Sequence, residues 1–294
     1  MPSPSPSPET LREVRRARPL LGTLVEIRAA AVGPETRLHA AIDAAFAAVE
    51  RVQNLMSFHD PASELSLLNR EAARRPVTVD AQTHTVLAAA LELSRLSEGA
   101  FDVCVAPQLE HWGYLPAAIE PVLAGADWRD IELLDENRVR FCRPLRIDLG
   151  GIAKGYAVDC AIDALRAAVV GQALVNAGGD LRALGHGPWT VSLRHPQSPA
   201  QSAHALLLGE EALATSANYF SRRRFGADEV SPLLDPRSGR PWLGAASVSV
   251  RAADCLHADG LTKVVLFAAP ELAERVLAHY GAQAYIQQPL EAAA

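Results

Sequence analysis

Few of this chain's 294 residues are aromatic, 5% in all, and four are cysteine. Binding nucleic acid by base stacking needs aromatic platforms, and gripping a phosphate backbone needs an excess of positive charge. A net charge of −6 leaves no such electrostatic footprint. Cys104, Cys142, Cys160 and Cys255 form no C-x-x-C pair and do not cluster with histidine, which excludes a structural zinc site. A disulfide framework is out of place in so long a chain, so free and mostly buried thiols are expected. No apolar run approaches the ~18 residues of a membrane span, and none of the ~7–15 residues that a secretory signal requires follows the early basic residues. The expectation is a cytoplasmic protein with no transmembrane segment and no nucleic-acid partner. H-E-x-x-H, G-x-S-x-G and internal repeats are also missing.

What remains is a globular balance of 49% apolar and 21% charged residues. Residues 1–17 are expected to form a disordered Pro/Ser tail, since a Ser-Pro repeat buries too little surface to offset its ordering entropy. Thr23, Val25, Ile27 and Ala29 alternate with Leu24, Glu26 and Arg28, as in a half-buried strand. From Glu35, apolar residues at Leu38, Ile42, Ala45, Phe46, Val49 and Val52 mark one face of a helix. Residues 57–69 read as a polar loop, 81–97 as a second helix closed by Gly99, and 101–130 as an irregular excursion. A hairpin turns around 135–138, and a short strand at 146–149 runs into Gly150-Gly151 and a helix over 153–170. Strands follow at 173–175, 190–193, 204–208 and 247–250, helices at 258–267 and 271–279, and a closing strand near 282–286. This interleaving lacks a regular βαβ cadence, which predicts an α+β fold.

Three segments carry chemistry. In IDLGGIAKGYAVD, residues 147–159, the glycine spacing resembles a phosphate loop, but Tyr156 and Ala157 stand where Lys-[Ser/Thr] is required. A strand end, a glycine turn and a helix start still favour an anion, with Lys154 adding charge. Asp148 can accept hydrogen bonds or hold a metal. The alternative is an ordinary strand–helix turn. SPLLDPRSGRP, residues 231–241, is strong turn chemistry. In ADGLTKVVLF, Asp259 and Thr262 share a helix face and suit a hard cation such as Mg²⁺; a plain capping aspartate is the bland reading.

Eight segments in order are similar to one family, the FAD:protein FMN transferases, or ApbE proteins. They are RPLLGTLVEI, MSFHDPASELSLLN, FDVCVAPQLEHWG, IDLGGIAKGYAVD, VNAGGDLRALG, LATSANYF, SPLLDPRSGRP and ADGLTKVVLF, spanning roughly residues 18–268. The resemblance implies a single domain over 18–294 with a two-lobed, T-fold-like α+β architecture, its sheets mixed or antiparallel and flanked by helices. It implies Mg²⁺-assisted cleavage of FAD and transfer of FMN to a threonine of an acceptor flavoprotein, with release of AMP. By position, it puts FAD contacts at Leu21, His59, His111, Trp112, Gly113, Asp148, Lys154 and Leu234. Metal ligands fall at Gly151, through its backbone oxygen, and at Asp259 with Thr262, and the catalytic pair at Asp259 and Lys263.

Three positions depart from the family pattern. Pro232 stands where S-H-x-I-D-P has histidine, and His59 replaces an aromatic ring. The D-x-x-x-T metal pair reads Asp259 to Lys263, with Thr262 one place early. Two readings stay open: the Lys263 ammonium takes over part of the metal's space and role, or the helix rotates so that Thr262 ligates and Lys263 faces solvent. These departures leave two alternatives to transfer, a FAD carrier without catalysis or a FAD pyrophosphatase giving FMN and AMP.

Overall fold

The computed structural model describes residues 11–117, 125–185, 187, 189–196 and 198–288. The chain opens with β1 (Leu11–Leu20), which pairs antiparallel with β2 (Thr23–Val32) through a turn at Leu21-Gly22. Residues 11–17, expected in the tail, are therefore strand, while residues 1–10 lie outside the described residues. The arginines of β1 are used in its packing: Arg15 meets Glu26 across the ladder at 2.5 Å, and Arg16 and Arg18 reach Asp43 on the next helix. β2 buries Val25, Ile27 and Ala29, as its alternation requires.

Helix α1 (Glu35–Met56) has no side-chain cap bond at Pro34, so packing holds it. Ile42, Phe46, Val49 and Val52 are fully buried, each contributing about 1.5–3 kcal/mol. Within the expected loop 57–69, Ser63 accepts the Ser66 N–H and starts α2 (Glu64–Glu71). Then come β3 (Val77–Thr78), α3 (Ala81–Leu96) and α4 (Ala106–His111), the last inside the stretch expected to be irregular. Residues 118–124 of that stretch lie outside the described residues. β4 (Ile131–Leu134) and β5 (Arg138–Phe141) form the predicted hairpin and join β3 in a three-stranded sheet.

Residues 146–149 are extended but pair with no strand; Asn69 on α2 clamps Ile147 instead, donating to its carbonyl at 2.9 Å and accepting its N–H at 2.8 Å. Next are α5 (Ala153–Ala167), β6 (Gln172–Ala177), β7 (Asp180–Leu184), β8 (Trp189–His195), β9 (Ser198–Leu208) and β10 (Ala212–Ser216). Small hairpins β11 (Arg223–Phe225)/β12 (Asp228–Val230) and β13 (Leu234–Asp235)/β14 (Arg240–Pro241) precede β15 (Ser247–Ala252). Helices α6 (Cys255–Phe267) and α7 (Pro270–His279) and strand β16 (Gln283–Gln287) complete the order.

The main sheet has seven strands in the order β1-β2-β6-β7-β10-β15-β16, all antiparallel neighbours. This is the expected α+β class. Helices α1, α5 and α6 cover one face, with α5 packed between the other two. Hairpin β8–β9 covers part of the opposite face, where Trp189, Leu193 and Leu208 pack on Leu181 and Leu213. A third, separate cluster joins Leu109 and Trp112 of the α4 region to Val230 and Leu234 of the hairpins. The free thiols range from buried Cys255 to exposed Cys142, so "mostly buried" holds only in part. Among the described residues, no helix is long and apolar enough to cross a membrane.

One glycine fixes the spacing of α5 and α6. A Cβ at Gly155 would overlap the Cys255 carbonyl oxygen and lie 3.0 Å from the Asp259 Cβ. Gly155→Ala would gain about 1 kcal/mol of helix propensity, but displacing a neighbouring backbone costs more. It is expected to destabilise by about 3 kcal/mol or more in urea unfolding. Gly171→Ala, where the methyl meets only the Ala30 oxygen at 3.9 Å, is expected to change stability by less than about 1 kcal/mol.

Candidate functional site

The segment that ends at Asp148 is held from three sides. Asn69 fixes Ile147, the Asp148 N–H donates to the Val103 carbonyl at 2.8 Å, and Arg146 forms a buried two-pronged ion pair with Glu110 of α4 at 2.6 and 2.7 Å. The chain then turns through Gly150 and Gly151, with the Ile152 and Ala153 N–H groups both donating to the Leu149 carbonyl. Ile152 at the helix start has no side-chain oxygen, so α5 has no local cap, and its Gly155 N–H is satisfied instead by Asp259 of α6. With the Ile152, Ala153 and Gly155 N–H groups already bonded, this end offers an anion the positive end of the helix dipole and the nearby Lys154. Asp148 sits half-buried below the turn. Burial pushes its carboxyl above the ordinary range, against the pull of the Gly150 and Leu149 N–H groups, His59 and Lys154.

Beneath the turn lies a cluster of alternating charge. Lys154, in the first turn of α5, contacts Asp180 at the start of β7 and lies 3.4 Å from Asp259 Oδ2 on α6. Asp259 is 1% exposed; its Oδ2 also accepts the Gly155 N–H at 3.2 Å, and its Oδ1 is bound by Lys263. Burial disfavours the Asp259 carboxylate, but the ammonium groups of Lys154 and Lys263 outweigh it and hold its pKa below the ordinary value. Burial likewise opposes the Lys154 charge, and Asp180 and Asp259 more than restore it. Asp180 is pushed upward, first by burial and then by the Asp259 charge.

Backbone approach makes this cluster possible. A Cβ at Gly178 would lie 2.5 Å from Thr23 Oγ1, so the β6–β7 turn approaches the start of β2 this closely only because that residue is glycine. Asp159 of α5 accepts the N–H groups of Cys255 and Leu256 at 2.9 and 2.8 Å and pairs with Arg182 of β7 at 2.7 Å. It thereby satisfies free donors at the start of α6 from the neighbouring helix. Asp254 caps α6 locally through the His257 N–H.

The structure gathers Gly151, Asp148, Lys154, Asp259 and Lys263 at this point. Leu21 lies in the β1–β2 turn, where its N–H donates to Gln53 of α1 at 2.6 Å, and no hydrogen bond among the described residues joins it to this cluster. The exposed His59 acts on the Asp148 carboxylate. His111, Trp112, Gly113 and Leu234 form a second group. Trp112 and Leu234 share the third apolar cluster, His111 meets Phe225 edge-on at 4.9 Å, and Arg223 binds the Trp112 carbonyl beside Gly113. A cavity of about 250 Å³ lies next to this group, lined by Val105, Gln108, Arg146 and Leu234. Thr262 faces inward: its fully buried hydroxyl meets Ser216 at 2.7 Å and the Asp259 carbonyl at 2.6 Å. Asp180, Ser216 and the Asp159–Arg182 pair were not picked out from the sequence. A carboxylate directly after a double-glycine turn was the available signal for Asp180.

The donor set does not suit a divalent cation. Every acceptor oxygen of Asp259 is taken: Oδ1 by Lys263, Oδ2 by Gly155 and Lys154, and the carbonyl by Thr262 and by Lys263 at 3.0 Å. Like unit charges ~4 Å apart repel by about 4 kcal/mol at an effective dielectric near 20. A dication here would meet two ammonium groups. Among the described residues, no three His, Cys, Asp or Glu side chains converge as a metal cluster.

Comparison with known proteins returns one family. A model of the ApbE family matches residues 21–286. A FAD:protein FMN transferase of Vibrio cholerae serotype O1 is 33% identical over 233 residues, covering 72% of this chain and 69% of the relative. Among solved structures, the flavin transferase ApbE from Vibrio cholerae superposes with a TM-score of 0.78 at 28% identity, covering 94% of both chains. The ApbE protein from Thermotoga maritima gives 0.80 at 26% identity, covering 95% of this chain and 97% of its own.

Two outcomes are expected at this site. Lys154→Met leaves Asp180 and Asp259 facing each other with one ammonium fewer, and should lower unfolding stability by about 3 kcal/mol. At the α6 start, His257 Nδ1 lies 2.8 Å from Asp254 and stacks on Tyr280. Burial opposes its charge, but the Asp254 hydrogen bond and carboxylate raise its pKa above the ordinary value. A raised histidine stabilises fully below its unfolded pKa of ~6.5 and loses that contribution as pH rises through the folded value. Urea midpoints should therefore fall more between pH 6 and 8 for the wild type than for His257→Gln.

Proposed function

The chain belongs to the ApbE family, and on that premise we propose that it is a FAD:protein FMN transferase whose FAD pyrophosphate lies against the Gly150–Gly151 turn. The observation that carries the assignment of the site is the α5 start at the double-glycine turn with Lys154 and Lys263 beneath it, where an anion meets the positive end of the helix dipole and two ammonium groups. Asp148 and His59 border the turn and hold polar groups of the FAD. Leu21 closes one side. His111, Trp112, Gly113 and Leu234 bind a further part of the molecule near the α4 cavity, so that FAD spans two lobes of one domain.

The reaction is a phosphoryl transfer. A hydroxyl of an acceptor flavoprotein, a threonine in our reading, forms a bond to the phosphorus on the FMN side of the pyrophosphate. The bond from that phosphorus to the bridging oxygen breaks, AMP leaves with the electron pair, and the hydroxyl proton is released. Such a transfer depends on in-line positioning and on neutralising charge at the phosphates more than on covalent catalysis. Here the neutralising groups are the Lys154 and Lys263 ammonium ions, held by Asp180 and Asp259, with the α5 dipole behind them.

Purified protein incubated with FAD and an acceptor flavoprotein is expected to release AMP and to leave an FMN-sized mass gain on one acceptor hydroxyl residue, read by mass spectrometry. FAD binding with no AMP under any condition would overturn the assignment. Asp148→Asn is expected to lower AMP release about tenfold or more, a loss of at least ~1.4 kcal/mol of stabilisation.

A further inference from the structure

We propose that Lys263 serves as a built-in cation at the Asp259 site, so that this protein binds and uses FAD without a divalent metal. The inference rests on the functional reading above, and its geometry is independent of it. Lys263 lies one helical turn beyond Asp259, and its ammonium meets both the Asp259 Oδ1 and, at 3.0 Å, the Asp259 carbonyl oxygen. Its side chain is only 14% exposed, and its Cε passes 3.6 Å from where a Gly151 Cβ would stand. The stem therefore runs directly under the glycine turn, and the charge ends where the turn faces the carboxylate.

Two further contacts occupy the oxygens that α6 would offer a metal. Thr262, the other oxygen on this helix face, is fully buried and bound to Ser216 and to the Asp259 carbonyl. The second Asp259 oxygen holds Lys154 and the Gly155 N–H. Mg²⁺ demands near-octahedral oxygen ligands at close range and sheds water reluctantly. It would have to displace an ammonium from each oxygen of Asp259 to enter. A tethered ammonium supplies one positive charge at the same place with no exchange with solvent, and Lys154 supplies a second. The site then has a fixed charge that chelators cannot remove.

The test compares FAD affinity in excess EDTA and in millimolar Mg²⁺, alongside Mn²⁺ binding read by electron paramagnetic resonance. The wild type should bind FAD equally in both buffers, within about twofold, and should show no bound Mn²⁺. Lys263→Thr frees Asp259 Oδ1 and adds a hydroxyl. It should acquire stoichiometric Mn²⁺ binding, and its FAD affinity should fall about tenfold or more in EDTA. A wild type that loses FAD affinity about tenfold in EDTA, or that binds Mn²⁺ stoichiometrically, overturns the proposal. So does a folded Lys263→Thr protein that binds FAD equally well with and without metal. If that variant does not fold, the wild-type measurements decide alone. Absence of AMP in every buffer would refute the transferase reading and leave the affinity and Mn²⁺ readouts to judge the lysine.

Discussion

Asp259 is a carboxylate almost wholly removed from water, and its charge is sustained by two ammonium groups and one backbone N–H. An isolated charge in that position would cost several kcal/mol. Pairing it from two helices makes the close packing of α5 and α6 a condition of charge balance. Remove the contact at Gly155 and Asp259 moves away from Lys154 and from the Gly155 N–H together. The charge cluster is therefore a consequence of helix packing.

The same logic extends outward through the sheet. Asp180 reaches Lys154 because the β6–β7 turn presses against Thr23 in β2, and that approach needs a residue without a side chain. Arg182, two residues along β7, neutralises Asp159, which in turn satisfies the start of α6. Asp159, Asp180 and Asp259 each have an opposite partner on a different element. Breaking any pair leaves a charge uncompensated, which costs more than the pair contributes. Such cross-element pairing holds the lysines of the cluster still, as the proposed transfer by charge neutralisation requires.

A fixed ammonium and an exchangeable metal ion solve the same electrostatic problem differently. A metal brings two charges and can polarise oxygen directly, but it must be bound from solution. Lysine brings one charge on a flexible stem and stays with the chain. Burial of the stem beneath Gly151 limits that flexibility here, and Lys154 supplies the second charge.

Much was legible in the residues alone. The α1 stripe from Leu38 to Val52, the hairpin at 135–138 and the α+β class follow from periodicity and turn chemistry, which are local. The ordered motifs identified the family and drew attention to Asp148, Lys154 and Asp259. Other features were hidden because their causes are not local. The Ser-Pro repeat predicts a tail that takes in residues 11–17, yet they are strand, with β2 and Asp43 opposite their arginines. Residues 146–149 looked like strand, yet a side chain from α2 takes the place of a partner. The change from threonine to lysine at 263 was visible in the string, and two orientations of that helix were compatible with it. Only the packing of α6 against Ser216 turned Thr262 inward and left the ammonium on Asp259, because a helix presents its faces according to what its neighbours can bury.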